Sequence, residues 1–497
     1  MRARRRWLWL APSFPRTALW AARRRDIIRR REAERNKLSR GSSGERAGRH
    51  RLDRAMVSRV RRELTLPEAA REEIARCVRC GACMKVCPVF DVMRREGGVA
   101  RGKIALAGGV LRGEIADGSL YRYFLSACLL CGRCTSSCPN QVDTPLIVQA
   151  ARVELAAMRR GGAVKRFLLG RIAASEKISS LLKAARSLRW LWAARIPRES
   201  GLRVRFFSGA PGERRLIPPI ASPFFQEREP PRAFTGPGMR VALFVGCVSN
   251  YLRPQAAEAA LRSLQNAGAA VMVPARQACC GLPAFGAGAM KGARRLARRN
   301  LDALLPPAGE KDWPEAITSP CASCAFMLKQ HLPELLAGDP DRARRALELS
   351  RRVVPFSRLL STLAGWAAEG PGRETPAPKL RITYHDPCHL SRGFGEKDAP
   401  RFLLTRLPGA RFVEMEHPCR CCGHGGSFNL SHLDLSRAIA KTKVERVLAT
   451  GAEMLVTECS GCWLQLFEAM QEARPGFPVI TTAEAAANIA NGVPEEK

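Results

Sequence analysis

The stretch "CVRCGACMKVCP" at residues 77–88 recurs 51 positions later as "CLLCGRCTSSCP" at residues 128–139. Both copies have the spacing C-x2-C-x2-C-x3-C-P. Three thiolates two residues apart lie on a tight loop that can wrap one iron–sulfur cube, whereas the fourth leaves on the next helix and reaches the other cube. The doubled stretch therefore predicts a small helical unit folded around two [4Fe-4S] cubane clusters.

The crossing of the fourth cysteine assigns two ligand sets. One comprises Cys77, Cys80, Cys83 and Cys138, and the other comprises Cys128, Cys131, Cys134 and Cys87. Gly81 and Gly132 are expected to let the backbone pass close to sulfide, and Pro88 and Pro139 to end each loop in an extended turn. A zinc site or a set of unrelated thiols is the alternative, and the repetition of all eight cysteines argues against it.

The other eleven cysteines form a second, looser repeat, whose corresponding members are about 140 residues apart. The first copy comprises Cys247, Cys279, Cys280, Cys321 and Cys324. The second copy comprises Cys388, Cys421, Cys422, Cys459 and Cys462. Only Cys419 has no counterpart in the other copy.

Short apolar runs deliver these cysteines, and helical patterns separate the runs. The runs are "RVALFVGC" at 240–247, "AITSPCASC" at 316–324, "RITYHDPC" at 381–388 and "MLVTECSGC" at 454–462. Strands that alternate with helices predict a parallel α/β sheet in each copy. Because the C-terminal ends of parallel strands share one edge, the cysteines of each copy are expected to converge there.

Each copy also contains an adjacent pair of cysteines followed by glycine. Neighbouring Cα atoms are about 3.8 Å apart, which is shorter than the roughly 4.4–6.8 Å of an unstrained disulfide. Adjacent thiolates therefore suit two metal ions of one cluster, although five cysteines are one more than a cube needs. A dithiol exchange site at "CASC" or "CSGC" is the rival interpretation, but the sequence context is not thioredoxin-like.

Three further segments have helical patterns. Residues 99–118 predict a helix and a turn, and residues 146–160 predict an amphipathic helix. Arg101 and Lys103 are expected at a solvated helix start, with the tuning of a cluster or the docking of a partner as alternatives. Residues 178–198 predict a basic amphipathic helix that either packs between domains, which we favour, or lies on a membrane surface. His385, His389, His417 and His424 flank the second group of cysteines and are expected to hydrogen-bond around it rather than to ligate.

Length, charge and composition indicate how many domains the chain contains and which classes of partner it suits. The chain has 497 residues, enough for about three domains, and its net charge of +37 favours an anionic partner. Residues 1–55 alone hold 18 Lys and Arg against five Asp and Glu. We expect translation to begin at Met56, with a solvated basic tail or a twin-arginine export signal as alternatives. The low aromatic content of 6% argues against nucleic-acid binding, and free cysteines in a long chain favour a reducing cytoplasm.

These motifs resemble those of the iron–sulfur subunits of glycolate oxidase and related lactate dehydrogenases, and the architecture is also similar to the fused heterodisulfide reductase subunit. The resemblance spans residues 70–490 and rests on six motifs: "CVRCGACMKVCPVF", "ARGK", "GCVSN", "CCGLPAFGAG", "HDPCHL" and "CCGHGGSFNL". It implies up to two non-cubane [4Fe-4S] clusters, one for each five-cysteine group, and therefore metal ligation by all ten of these cysteines. The long basic N-terminus and Cys419 depart from the family pattern.

The expected fold class is α+β and multidomain: a helical ferredoxin-like domain for two [4Fe-4S] clusters, followed by two repeated α/β cysteine-rich domains. The expected segments are a basic extension (1–60), the ferredoxin-like domain (61–160), a basic helical linker (161–236), and cysteine-rich domains at 237–375 and 376–497.

Two functions follow from the resemblance. In the first, the chain is an oxidoreductase subunit that conducts electrons from a separate FAD-containing 2-hydroxyacid dehydrogenase subunit, acting on glycolate or D-lactate, to quinone or another carrier. The flavin is placed in a partner because no G-x-G-x-x-G loop follows a strand. In the second, the non-cubane clusters act on disulfide or thiol substrates. The expected location is the cytoplasm, with peripheral contact at the inner face of the plasma membrane as an alternative.

Overall fold

The computed structural model describes residues 66–158, 178–188, 193–195, 202–204, 215–229, 233–234, 237–306, 313–363 and 380–489. All of them belong to one compact unit that spans Leu64–Lys497. The expected basic extension, residues 1–60, lies outside the described residues, as does Trp192 in the predicted linker helix. None of the helices in the described part of the chain has the length and apolar character that a bilayer crossing requires.

The first part of the described chain is helical. Its helices are α1 Glu68–Ala75, α2 Pro88–Met93, α3 Ala100–Leu111, α4 Ser119–Ser126, α5 Arg133–Ser136 and α6 Thr144–Met158. Pro88 occupies the first position of α2, where its missing N–H would have had no partner, so this proline begins a helix rather than the expected extended turn. The predicted helices at 99–118 and 146–160 correspond to α3 and α6. Leu125, Val148 and Ala151 form the centre of the core that packs these helices together.

A connecting segment follows. It contains α7 Ile178–Ser187, the antiparallel strands β1 Ala193–Arg195, β2 Leu202–Val204 and β3 Leu216–Ile217, and α8 Phe225–Arg228. Lys183 of α7 forms an ion pair with Glu227 at 2.6 Å, and Arg186 donates to the Ala221 carbonyl at 2.9 Å. The predicted linker helix therefore packs on residues 221–227 of its own chain.

The first cysteine-rich copy is built on a parallel sheet of order β5-β4-β6. Its elements are β4 Arg240–Leu243, α9 Cys247–Tyr251, α10 Pro254–Asn266, β5 Ala270–Met272, α11 Leu282–Gly286, α12 Met290–Leu304, β6 Ala316–Thr318, α13 Ala322–Phe326, a π-helical segment Met327–His331, α14 Leu332–Leu336, α15 Pro340–Arg352 and α16 Phe356–Thr362. In the register, Val241 lies between Val271 and Ala316. All three are almost completely buried, as β-branched and small residues in a covered parallel sheet should be.

The second copy repeats the plan with four parallel strands of order β10-β9-β7-β8. Its elements are β7 Leu380–His385, a π-helical segment His389–Phe394, α17 Asp398–Leu404, β8 Ala410–Phe412, α18 Ser427–Ser431, α19 Leu433–Ala449, β9 Met454–Thr457, α20 Ser460–Ala473, β10 Val479–Thr481 and α21 Thr482–Ile489. Thr383 pairs with Leu455, and Val456 pairs with Ile480. The parallel sheets predicted from the alternation of strands and helices are both present, and the mixture of helices and sheet agrees with the α+β class.

The two copies share one hydrophobic core. Leu301 and Met327 of the first copy belong to the same buried cluster as Val447 and Trp463 of the second. Because residues of both copies contribute to this core, the two copies pack against each other. The cysteines at their sheet edges are thereby brought within reach of one another.

Candidate iron–sulfur sites

The two N-terminal cysteine loops have the same backbone path. Gly81 and Gly132 have φ angles of +86° and +68°, and the residues two positions earlier, Arg79 and Leu130, are also left-handed at +55° and +51°. Two such residues in each loop turn the chain tightly enough to point successive cysteines to one side. Glycine is therefore suited to both positions, because each loop requires a left-handed backbone conformation there.

Each loop borders a hollow of its own. The first hollow encloses an empty space of about 400 Å³, and its lining includes Cys77, Cys80, Cys83 and Cys138, with Cys134 at its edge. The second encloses about 420 Å³, and its lining includes Cys87, Cys128, Cys131 and Cys134. The structure therefore brings together the same foursomes that the crossing of the fourth cysteine assigns. Four converging thiols around a hollow suit an iron–sulfur cube.

Lys103 lies against the second hollow and corrects the expectation of a solvated helix start. It is only 2% exposed, and its Nζ donates to the Gly98 carbonyl. Burial lowers the pKa of Lys103, and the neighbouring Cys128 and Cys87 oppose that shift. Arg101, two residues earlier, keeps 29% of its side chain exposed and pairs with Glu96 at 2.6 Å. Arg101 lines the first hollow and Lys103 lines the second, so each group of four cysteines has one cation of this motif beside it.

Arg152 of α6 fixes the start of the second loop. Its guanidinium donates to the carbonyls of Leu125 at 2.8 Å, Ser126 at 3.1 Å and Cys128 at 2.7 Å. It also donates to the Gly286 carbonyl at 2.8 Å, which ties the loop to the first cysteine-rich copy. No sequence pattern indicated this role, since the four carbonyls become neighbours only in the folded chain.

The first five-cysteine group forms at the C-terminal ends of the strands, as predicted. Its thiols are linked by hydrogen bonds in the order Cys247, Cys279, Cys280, Cys324 and Cys321. Four of them are buried, and Cys247 is half-buried. The hydrogen bond with Cys247 holds the pKa of Cys279 well below its usual range. Asn300 secures the loop by donating to the Cys279 carbonyl at 3.0 Å.

The second group repeats this arrangement. Its thiols are linked in the order Cys388, Cys421, Cys422, Cys462 and Cys459. The glycine after each adjacent pair is left-handed in both copies, with φ of +92° at Gly281 and +94° at Gly423. A Cβ at Gly423 would lie 2.7 Å from the Ser436 carbonyl, so only glycine fits there. Five converging thiols suit iron–sulfur chemistry better than zinc, which takes four ligands.

The two five-cysteine groups meet. The thiols of Cys321 and Cys459 hydrogen-bond to each other, and the Ser460 amide donates to the Cys321 sulfur at 3.4 Å. The Ala322 amide donates to the Glu458 carbonyl at 2.7 Å, so each C-x-x-C segment holds the other. This junction was not predicted, because sequence spacing reports nothing about how the copies face each other.

A second junction joins the helical part to the cysteine-rich copies. Cys131, which lines the second hollow, hydrogen-bonds to Cys421. A continuous row of ten cysteine thiols therefore runs from Cys131 through Cys421 and the second copy to Cys321 and ends at Cys247, and Cys388 branches from this row at Cys421. We call this arrangement the cysteine row.

Arg392 crosses the second junction and was missed by sequence reasoning. Its Nε donates to the Cys131 carbonyl at 2.7 Å and its Nη1 to the Cys419 carbonyl at 3.0 Å. Its Nη2 is buried and has no hydrogen-bond partner among the described residues. Burial disfavours its charge, but Cys131, Cys388 and Cys421 more than offset this and raise the pKa of Arg392. A fixed positive charge thus stands between two cysteine groups.

Lys443 places a further cation, which is buried, beside the second group. It is 1% exposed, and its Nζ donates to the carbonyls of His417 at 3.0 Å and Pro418 at 3.1 Å. Burial lowers the pKa of Lys443 to about 8, while Cys422 opposes the shift. Cations around the thiolates offset the negative charge that a bound cluster and its ligands carry.

Three of the four histidines surround the second group as expected. His385 is fully buried beside Cys422, His389 hydrogen-bonds through Nδ1 to the Ser323 hydroxyl at 2.7 Å, and His424 Nδ1 accepts from the Gly426 amide at 3.2 Å. Burial lowers the pKa of His389 to about 4, so its ring is neutral at physiological pH. The same Ser323 hydroxyl lies 3.0 Å from the Cys459 sulfur.

One histidine lies away from the second group, and another lies close to two of its sulfurs. The expectation for His417 is wrong: its ring pairs with Glu416 at 3.2 Å, its side chain is 55% exposed, and only its carbonyl faces the site through Lys443. The ring nitrogen of His385, besides its place beside Cys422, lies within 4.8 Å of the sulfurs of both Cys422 and Cys462. That distance places His385 within the range of a ligand as well as of a hydrogen-bond partner.

Comparisons with known proteins agree with this arrangement. Residues 73–142 match the family described as "4Fe-4S dicluster domain", and residues 241–329 and 382–467 match "Cysteine-rich domain". Lactate utilization protein A of Oceanobacillus iheyensis is 32% identical over 246 residues, which are 50% of this chain and 96% of the relative.

Two relatives align over most of the chain. The probable glycolate oxidase iron–sulfur subunit of Bacillus subtilis is 29% identical over 410 residues, covering 79% of this chain and 88% of the relative. A fumarate reductase (CoM/CoB) subunit of Methanothermobacter marburgensis is 28% identical over 410 residues, covering 80% of this chain and 68% of the relative. The alignments thus include the ferredoxin-like part together with cysteine-rich segments.

Proposed function

Because this chain belongs to the family of oxidoreductase iron–sulfur subunits that join a 4Fe-4S dicluster domain to cysteine-rich domains, we propose that it carries electrons within a flavin-dependent 2-hydroxyacid dehydrogenase. A separate FAD-containing subunit oxidises glycolate or D-lactate, and this chain passes the electrons to quinone or another carrier. The observation that supports the proposal is the cysteine row, since it joins the second hollow to both five-cysteine groups without a break.

The ligands that we propose are the eighteen cysteines of the four groups. Two cubane [4Fe-4S] clusters are held at the two hollows, by the foursomes that line them, and up to two non-cubane [4Fe-4S] clusters are held by the five-cysteine groups. When bound, such clusters accept and release single electrons. The chain itself orders them, shields the buried thiols from water and surrounds the second copy with the cations Arg392 and Lys443.

The proposal is tested by anaerobic reconstitution. The isolated chain should show no oxidation of lactate or glycolate with a dye acceptor, because the flavin is assigned to the partner. Adding a flavin-dependent 2-hydroxyacid dehydrogenase, together with its 2-hydroxyacid, should bleach the visible absorbance of this chain. Turnover by the isolated chain, or absorbance that stays oxidised with an active flavoprotein, would contradict the proposal.

A heterodisulfide reductase-like activity is a second candidate, and the junction of Cys321 with Cys459 favours it. Two five-cysteine groups in contact could deliver two electrons together, so that a disulfide takes up two electrons and two protons and leaves as two thiols. Release of thiol from a small disulfide by the chemically reduced chain would support this candidate. Reduction of the chain by the flavoprotein without any thiol release would favour the first function.

Location follows the same proposal. We place the chain in the cytoplasm, where its cysteines remain reduced, with peripheral contact at the inner membrane face if the acceptor is quinone.

A further inference from the structure

We propose that a polar pocket at the Cys247 end of the cysteine row binds a small carboxylate- or phosphate-bearing electron acceptor. The pocket has a volume of about 490 Å³ when the part open to solvent is included, and both Cys247 and Cys279 line it. The inference rests on the proposed function in one respect, the supply of electrons. The binding of an anion there can be tested separately.

The position of the pocket is the first support. The junction thiols Cys321 and Cys459 are 3% and 2% exposed, so a ligand has no direct access to the middle of the row. Cys247 is half-buried and borders the pocket, which makes this end of the row approachable. A molecule in the pocket would lie against the last thiols of the row.

The charge of the lining is the second support. Arg276 and Arg299 line the pocket, and no Asp or Glu is among its described lining residues. Arg299 Nε donates to the Arg276 carbonyl at 2.7 Å, which fixes one arginine against the backbone of the other. Arg276 has a left-handed φ of +60°, an uncommon conformation for a residue with a side chain. Two guanidinium groups beside one cavity match the geometry and charge of carboxylate and phosphate.

The neutral polar groups narrow the class of ligand. The hydroxyls of Ser179 and Tyr251 lie 3.4 Å apart on one wall, and the Gln226 side chain lines the same cavity. Asn250 orients Gln226, since its Nδ2 donates to the Gln226 Oε1 at 3.3 Å. A lipophilic quinone would leave these groups without partners, whereas a polar anion can hydrogen-bond to them. The pocket therefore favours a small polar acceptor over quinone.

The proposed FAD-containing subunit supplies the electrons that the acceptor takes up. Oxidation of a 2-hydroxyacid to the 2-oxoacid releases two electrons and two protons, and the clusters that the cysteine groups would hold would supply the one-electron carriers. The acceptor class that we propose would take up the two electrons, together with two protons from solvent.

The test measures anion binding to the full-length, cluster-loaded chain under anaerobic conditions. Inorganic phosphate and oxalate serve as separate probes, so that the phosphate and carboxylate classes are distinguished. Calorimetry gives the affinity, and electron paramagnetic resonance of the partly reduced chain reports whether the probe perturbs a nearby cluster. The variants are Arg276→Gln and Arg276→Gln/Arg299→Gln. The matched control is Arg351→Gln, since the Arg351 side chain is 76% exposed and lies outside the pocket lining.

At least one probe should bind and alter the resonance spectrum. Loss of one charge-assisted contact should weaken binding about tenfold in Arg276→Gln, with a larger loss in the double variant and none in Arg351→Gln. The inference is overturned if neither probe binds, or if the double variant binds as tightly as the parent. Reduction by the flavoprotein is measured in the same preparations. Failure of that reduction with intact probe binding would overturn the proposed function and leave the pocket standing.

Discussion

Replacing Arg392 with glutamine should lower the reduction potential of the groups on both sides of it. The guanidinium contacts the Cys131 carbonyl at 2.7 Å and the Cys419 carbonyl at 3.0 Å. A positive charge stabilises the reduced, more negative state of a neighbouring redox centre. Its removal should therefore make that centre harder to reduce.

The size of the effect follows from these contacts. At an effective dielectric constant of about 20, a unit charge roughly 7 Å from a redox centre interacts with the added electron by about 2 kcal/mol. For one electron this corresponds to a shift of roughly 80–90 mV. The same change removes two charge-assisted hydrogen bonds to carbonyls, which should cost about 1–3 kcal/mol of stability.

The assay is a redox titration followed by electron paramagnetic resonance. Arg392→Lys keeps the positive charge but cannot donate to both carbonyls with guanidinium geometry. Its reduction potentials should therefore lie close to those of the parent, whereas its stability should be lower. Arg351→Gln is the exposed control and should change neither quantity. Potentials in Arg392→Gln that equal those of the parent, with all clusters retained, would refute the electrostatic role of this residue.

Three further predictions use the same preparations. Cys83→Ser should remove iron from the first hollow only, because Cys83 lines that hollow and lies outside the cysteine row, which begins at Cys131 in the second hollow. Metal analysis that shows full iron content, or loss of every cluster from a soluble chain, would contradict this. Cys421 and Cys422 should resist alkylation until iron is chelated, whereas Cys419 should label in the native chain; mass spectrometry showing the reverse order would support a thiol-exchange site instead. Burial raises the pKa of Glu458 to about 8 from the ordinary value of 4.5. The contribution of this group to the free energy of unfolding is therefore fully present below pH 4.5 and should be lost as the pH rises towards 8. Glu458→Gln should flatten that dependence in thermal melts at pH 6 and pH 8, and an unchanged slope would count against it.

Several features of this protein were determined by its sequence alone. The spacing of eight cysteines predicted which thiols share each hollow, because a helix or tight loop of a few residues leaves little freedom in where its side chains point. The alternation of strands with helices predicted both parallel sheets and the convergence of cysteines at their C-terminal edges. Both inferences were possible because they concern residues close together in sequence, or parallel strands whose C-terminal ends lie at the same sheet edge.

Other features were decided by the tertiary structure. Lys103 stands in a polar, basic motif and was expected in solvent, yet packing places it 2% exposed beside the second hollow. Arg392 and Cys131 are 261 positions apart, and Ser460 and Cys321 are 139 apart. No periodicity encodes such contacts. They arise because the apolar core between the two copies fixes how their sheet edges meet, and that packing joins the separate cysteine groups into one row.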